Sequence, residues 1–152
     1  VTFSVSKGET VGIIGGTGSG KSTLVNLIPR FYDASEGRVL FDGADVKEYP
    51  MEKLRGKIGI VPQKATLFRG TIRANIQWGK QDATDEEIYE ALEIAQAKEF
   101  VQEKPKALDT MISQGGKNLS GGQRQRMAIA RAVMKQPDDC PCACAEAGSI
   151  DS

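Results

Sequence analysis

Eight residues near the amino terminus constrain the fold of this chain more than any other feature. The stretch 15–22 reads Gly-Gly-Thr-Gly-Ser-Gly-Lys-Ser and fits the pattern G-x-x-x-x-G-K-[ST]. Glycines let a backbone fold into a concave nest of amides, and a following helix adds its unpaired amino-terminal amides. Lys21 can then reach the β- and γ-phosphates of a nucleotide, and the Ser22 hydroxyl can ligate Mg²⁺. The pattern predicts a phosphate-binding loop between a buried strand and a helix, whereas a flexible Gly/Ser loop would not need Lys21 and Ser22 in register.

Apolar periodicity predicts strands in the first part of the chain and helices in its middle. The predicted strands are 1–5, 10–14, 38–41 and 57–61, with short helices at 22–27 and 51–57. Thr84 and Glu87 form a capping-box pattern, and one helical face then carries Ile88, Ala91, Leu92 and Ala95. A further helical stretch runs to about 103, and Ser120 is a suitable N-cap for a helix through Lys135. The fold class is therefore α/β with a helical insertion.

Composition excludes several classes of function. The 152 residues include no histidine, which excludes Ser-His-Asp and Cys-His nucleophile systems and His-bearing zinc sites. Lys plus Arg and Asp plus Glu are 20 each, so the chain lacks the basic excess of a nucleic-acid binder. The sequence shows no signal peptide and no apolar run of the roughly 18 residues that span a bilayer. Because the chain begins at Val1 without Met, we expect it to be a piece of a longer protein.

A second glycine pair stands at the start of the helix that follows Ser120. Gly121 and Gly122 occupy its first turn, although each glycine costs a helix about 1 kcal/mol relative to alanine. An ordinary N-cap would not need this pair. Two glycines beside a hydroxyl leave the backbone amides uncovered by side chains, which favours a close approach to an anionic ligand.

The residues around these two glycines resemble a known family. The run 119–126, Leu-Ser-Gly-Gly-Gln-Arg-Gln-Arg, is similar to the signature motif of ATP-binding-cassette (ABC) ATPases, and Val61-Pro62-Gln63 resembles their Q-loop. The segments 67–76 and 114–118 are similar to the corresponding segments of exporters of multidrug or lipid type. The resemblance covers Val1 to about Asp138, nearly the whole chain.

This resemblance implies a P-loop NTPase core of ABC type with a helical subdomain, truncated before or within the Walker B strand. The implied parts are core strands and phosphate loop at 1–63, Q-loop and helical subdomain at 64–118, signature helix at 119–137, and an atypical Cys-rich tail at 138–152.

The resemblance also implies a site, its cofactors and its partners. Two such domains would enclose two ATP molecules head to tail, with Mg²⁺ held by Ser22 and Gln63. One domain would bind the phosphates, and the other would cap the γ-phosphate with its signature. The partners would be a second ABC domain and the transmembrane domain of an exporter. The chain would lie at the cytoplasmic face of the cell membrane, and it would not bind nucleic acid. The implied nucleotide-binding residues are Gly15, Gly16, Thr17, Gly18, Ser19, Gly20, Lys21, Ser22, Thr23, Gln63, Ser120, Gly121, Gly122 and Gln123.

The catalytic half of such a site is not recognisable in the sequence. In this family an apolar strand ending in Asp-Glu follows the signature helix, and a switch histidine comes later. Residues 139–152 instead read Asp-Cys-Pro-Cys-Ala-Cys-Ala-Glu-Ala-Gly-Ser-Ile-Asp-Ser, and proline is unsuited to a central strand. We therefore assign no catalytic residue and expect nucleotide binding with little or no hydrolysis by this chain alone.

Four alternatives stay open at this point. The chain could be a degenerate regulatory partner that lends its signature to an intact mate, or a gene fragment with a one-base frame slip after Asp138. It could also be a DNA-acting ATPase of the same family, which the exporter-like segment 67–76 disfavours. Cys140, Cys142 and Cys144 could bind a metal, although zinc sites usually carry C-x₂₋₄-C pairs; the clustering of these cysteines also favours a reduced compartment.

Overall fold

The computed structural model describes residues 1–62 and 64–135, and the chain comprises two units. The described residues of the first unit are 1–58, and those of the second are 59–62 and 64–135. The first unit contains α1 (Lys21–Leu27), β1 (Leu40–Phe41), β2 (Ala44–Asp45) and α2 (Met51–Gly56). The second contains β3 (Gly70–Thr71), α3 (Ile72–Gln77), α4 (Asp85–Ile94), α5 (Lys98–Gln102), β4 (Met111–Ile112) and α6 (Gly121–Met134), with 3₁₀ turns at Ala107–Asp109 and Gln114–Gly116.

A two-residue hairpin and a side-chain clamp shape the first unit. Strands β1 and β2 pair antiparallel, Leu40 opposite Asp45, around an Asp42-Gly43 turn in which both residues have positive φ, 51° and 80°. Asp-Gly is the preferred sequence for such a turn because its backbone matches the strand twist. The Arg55 guanidinium of α2 donates to the carbonyl oxygens of Pro29 (3.2 Å) and Arg30 (3.0 Å). These bonds fix α2 against the chain that leaves α1.

The second unit is a helical core around α6, which packs against α3 and α4. Thr84 caps α4 as predicted, and its capping box with Glu87 is complete. The predicted apolar face is buried, with Ile88 and Leu92 fully shielded from solvent. Strands β3 and β4 pair antiparallel with Gly70 opposite Ile112. Arg73 of α3 donates hydrogen bonds to Asp85 of α4 and to Asp109. Both bonds raise the pKa of the Arg73 guanidinium, and the bond to Asp85 has the larger effect.

Three of the predicted strands are wrong for this structure. Residues 1–5, 10–14 and 57–61 form no strand, and the strand predicted at 38–41 is confined to Leu40–Phe41. Val11 and Ile14, which we expected to be buried, are 46% and 89% exposed. A parallel strand needs neighbouring strands to bind its amides and carbonyls, and those in the described part of the chain form only two short antiparallel pairs. Among the described residues, no helix has both the length and the apolar character to cross a membrane.

Candidate functional site

The phosphate loop keeps the backbone geometry that its glycines permit. Gly18 and Gly20 adopt φ values of 79° and 83°, a left-handed conformation that side chains with a Cβ rarely adopt. A turn closes the loop through a hydrogen bond from the Ser19 amide to the Gly16 carbonyl, 3.2 Å long. The residues 18–23 line a concave cavity of about 220 Å³ at the start of α1. This curvature is what a nest of backbone amides around an anion requires.

Lys21 lies across its own loop. Its ammonium donates to the carbonyl oxygens of Gly15 and Gly16, the latter at 2.8 Å, and to the Ser19 hydroxyl at 3.3 Å. The cation is therefore already at the loop, bound to groups that phosphate oxygens can replace. An ammonium gains more from a charged phosphate than from a neutral carbonyl, so the exchange favours an anionic ligand.

The residues around the loop suit ATP with Mg²⁺. Gly20 is the N-cap of α1 and supplies no side-chain cap, so the first amides of the helix are available to a ligand. A magnesium ion prefers oxygen ligands and keeps several waters and phosphate oxygens, so the exposed Ser22 hydroxyl suits it. The described residues hold no cluster of three or more His, Cys, Asp or Glu that would form an all-protein metal cage. Gln63, the second predicted Mg²⁺ contact, lies outside the described residues.

The signature motif forms a complete capping box at the start of α6. The Ser120 hydroxyl accepts from the Gln123 amide (3.1 Å), and the Gln123 side chain accepts from the Ser120 amide (3.0 Å). In this arrangement the Ser120 oxygen acts as acceptor, which leaves its O–H free to donate to a ligand. No heavy atom would lie within 4 Å of a Cβ at Gly122, and Ser120, Gly121 and Gly122 are exposed. The Ser120 cap was predicted from the sequence, but Gln123 was not predicted as its partner, although the S-x-x-Q pattern indicates it.

Two arginines of α6 bind backbone carbonyls of neighbouring segments. Arg124 donates to the Leu119 carbonyl at 3.0 Å and the Gly116 carbonyl at 3.4 Å, so it holds the turn before the signature. Arg126 donates to the Gln96 carbonyl at 3.2 Å, in the connection between α4 and α5. These side chains fasten α6 to the helical unit.

Arg131, which is partly buried, and Asn75, which is buried, form a polar cluster that was not predicted from the sequence. Arg131 donates through Nε to the Asn75 carbonyl, through Nη1 to the Thr66 carbonyl and through Nη2 to Asn75 Oδ1, each at 3.1 Å. The Cζ of its guanidinium lies 5.2 Å from the centre of the Phe68 ring. Burial lowers the pKa of the Arg131 guanidinium. The signal for the cluster was an asparagine between Ile72 and Ile76 on an apolar helical face.

Asn75 joins the same cluster to the segment before α3. It is 2% exposed, and its Oδ1 accepts from the Phe68 amide at 2.9 Å. Its Nδ2 donates to the carbonyls of Phe68 and Thr71, each at 3.0 Å. The Asn75 side chain thus binds the backbone polar groups of Phe68 and Thr71, and it also accepts a hydrogen bond from Arg131. The phosphate loop belongs to the first unit, and both the signature and this cluster belong to the second.

Comparisons with known proteins agree on one family. The family described as "ABC transporter" matches residues 1–138. The chain is 49% identical over 136 residues to "ABC transporter B family member 21" of Arabidopsis thaliana, covering 90% of this chain and 10% of that protein. It is 49% identical over 135 residues to the "ATP-dependent lipid A-core flippase" of Chromobacterium violaceum, covering 89% of this chain and 23% of that protein.

A solved structure gives the same result for the fold. The chain is similar to the structure of a bacterial Atm1-family ABC exporter with ATP bound, with a TM-score of 0.76 and 43% sequence identity. The similarity covers 80% of this chain and 21% of that one. The chain therefore spans between about a tenth and a quarter of the length of these relatives.

Proposed function

Because the chain belongs to the ABC transporter family, we propose that it is the ATP-binding domain of an exporter and works in a head-to-tail pair. The predicted fold class, a P-loop NTPase core of ABC type, is confirmed by the family match and by the Atm1-family structure. ATP, typically with Mg²⁺, is the ligand of such domains. The observation that carries the proposal is the cradle at 18–23, with Lys21 already bound across it.

The phosphate loop performs the binding step in this proposal. Its amides and the first amides of α1 surround the β- and γ-phosphates, and Lys21 leaves the Gly15 and Gly16 carbonyls to neutralise them. The Ser22 hydroxyl would hold Mg²⁺, and the bound ion would offset the negative charge of the phosphates. Gln63 would be the second residue to hold the ion.

The signature performs the pairing step. The hydroxyl of Ser120 and the amides around Gly121 and Gly122 are exposed, so a γ-phosphate bound to a second copy can approach them. A glycine at 122 leaves room for that approach, since nothing lies within 4 Å of a Cβ built there. ATP thereby joins two domains, and their closure and opening drive a transmembrane domain at the cytoplasmic face of the membrane.

Hydrolysis by this chain alone is not part of the proposal. Phosphoryl transfer to water requires a group that orients the water or accepts its proton. The sequence contains no histidine, and residues 139–152 lack the Asp-Glu pair of the family. The second candidate function is that of a degenerate partner domain, which the complete Ser120–Gln123 capping box favours because it leaves the signature intact for a mate.

Binding of Mg-ATP by the wild-type chain and by Lys21→Ala tests the proposal. We expect saturable binding that weakens at least about tenfold in Lys21→Ala, because the variant loses a charge-assisted contact to phosphate. Lys7→Ala, which removes an exposed lysine elsewhere in the first unit, is the matched control and should bind normally. Equal binding by wild type and Lys21→Ala would reject the loop as the site.

A turnover assay on the same proteins separates the two candidate functions. We expect background turnover for this chain alone. Turnover that appears only after mixing with an intact homologous domain supports the degenerate-partner function. Turnover by the chain alone, abolished by Lys21→Ala, would contradict the proposed lack of hydrolysis.

A further inference from the structure

The signature helix is fastened at its far end to the segment that follows Gln63. Arg131 lies near the carboxyl end of α6, and its three hydrogen bonds reach Thr66 and Asn75. Asn75 in turn holds the Phe68 amide and the carbonyls of Phe68 and Thr71. The chain from 66 to 75 and the end of α6 are therefore joined by one continuous set of hydrogen bonds.

This junction has little freedom to move. The acceptors of the guanidinium are neutral oxygens, and the group is partly buried, so an altered geometry leaves a partly desolvated charge with poorer partners. Gly79 adds a steric constraint, because a Cβ there would lie 2.5 Å from the Arg131 carbonyl oxygen. The guanidinium also packs on the Phe68 ring at 5.2 Å. Backbone, side chain and ring thus restrict the same turn of α6.

We propose that Arg131 is a positioning residue that sets the direction of α6 and thereby the placement of the exposed Ser120–Gly122 amides. This inference rests on the proposed function, since those amides would cap a γ-phosphate bound to a second copy. From residue 131 to residue 120 a helix measures about 16 Å, so a tilt of about 10° moves the signature by about 3 Å. Such a displacement exceeds the tolerance of a hydrogen bond to phosphate.

The other two arginines of α6 do not have this role. Arg124 holds the turn at 116–119, which is adjacent to the signature in sequence. Arg126 donates to the Gln96 carbonyl at 3.2 Å, a contact that a lysine can also make. Arg131 needs the planar fork of a guanidinium to bind three oxygens, so Arg131→Lys keeps the charge but loses the geometry. Arg126→Lys is therefore the matched control on the same helix.

Two measurements on the full chain distinguish positioning from simple stabilisation. The first is amide hydrogen exchange at 119–123, compared with exchange in α4. The second compares the affinity for Mg-ATP with ATP-dependent association of two copies. In Arg131→Lys we expect exchange at 119–123 to rise and association to weaken, each about tenfold. Exchange in α4 and binding of Mg-ATP to the phosphate loop should be unchanged.

Each outcome decides the inference. Unchanged exchange at 119–123 in Arg131→Lys, or an equal effect in Arg126→Lys, overturns it. A uniform rise in exchange that includes α4 shows a merely structural role and also overturns it. If the wild type does not associate with ATP, the proposed function fails, while the exchange data still decide the role of Arg131. Should Arg131→Lys not fold, Phe68→Leu removes the ring beneath the guanidinium, which also packs on Trp78, and should raise exchange at 119–123 to a smaller extent.

Discussion

The carboxylate of Glu87 supports the start of α4 through two different contacts. One oxygen accepts from the Lys80 ammonium at 2.6 Å, and the other accepts from the Thr84 amide at 2.9 Å. Both contacts lower the pKa of the Glu87 carboxyl below its ordinary value of 4.5, and the Lys80 contact has the larger effect. A carboxyl with a lowered pKa in the folded state stabilises the fold above its ordinary pKa, and this contribution is lost as the pH falls through the folded value.

Replacement of Glu87 by glutamine should therefore destabilise the chain at neutral pH but not in acid. Glutamine can still cap the Thr84 amide, but it has no charge for Lys80. We expect the urea midpoint of Glu87→Gln to lie below that of wild type at about pH 7 and to approach it as the pH falls through the lowered pKa of the wild-type carboxyl. The control Glu90→Gln removes the same charge from an exposed position of α4. A difference for Glu87→Gln that persists unchanged in acid would contradict the assignment.

The chain just after the end of α3 lies close to the backbone of α6. A Cβ at Gly79 would lie 2.5 Å from the Arg131 carbonyl oxygen and 3.1 Å from the Lys135 amide nitrogen. Both neighbours are backbone atoms, which cannot turn aside as a side chain can. The contact between the two helices therefore depends on the absence of a side chain at residue 79.

A methyl group at this position should separate the two helices. We expect Gly79→Ala to lower the free energy of unfolding by about 1–3 kcal/mol, the usual cost of overpacking. The control Gly56→Ala adds the same methyl at the end of α2, where nothing lies within 4 Å, and should be neutral or slightly stabilising. Urea unfolding measures both. Equal stability of Gly79→Ala and wild type would show that α3 and α6 can separate without cost.

Caps and helical faces could be predicted because their determinants are local. Thr84 and Glu87 are three residues apart, and so are Ser120 and Gln123, so the spacing indicates such pairs, and the first of them was predicted from it. The strand predicted at 10–14 failed because a strand depends on partners elsewhere in the chain. The hydrogen bond between Arg131 and Asn75 joins residues that are 56 apart in sequence, and no local pattern predicts such a partner. The predicted site residues of the phosphate loop rest on a motif that is likewise local.

The proposed site differs from these local features because one chain cannot complete it. A head-to-tail pair related by a two-fold axis contains two equivalent sites, each with the phosphate loop of one chain and the signature of the other. Lys21→Ala damages the loop half of a site. Gly122→Asp damages the signature half, because it places a carboxylate where a γ-phosphate would approach an exposed glycine. A pair formed by either variant with itself therefore has two defective sites.

Mixing the two variants should restore one site. In the mixed pair, the intact loop of Gly122→Asp meets the intact signature of Lys21→Ala, and the remaining site carries both defects. We expect ATP-dependent association of the mixture with about one nucleotide per pair, against about two for wild type.

The control places the same two substitutions on one chain. When a tagged Lys21→Ala/Gly122→Asp chain is captured with wild type, each site of the captured pair carries one defect, so neither site is intact. Both mixtures contain identical substitutions in identical number, and only their distribution between the chains differs. Association in the first mixture but not in the second therefore requires that loop and signature act across the pair. Association in the second mixture but not in the first would mean that each chain binds ATP with its own loop and signature, because only the wild-type chain then has an intact site, and the head-to-tail arrangement would be wrong.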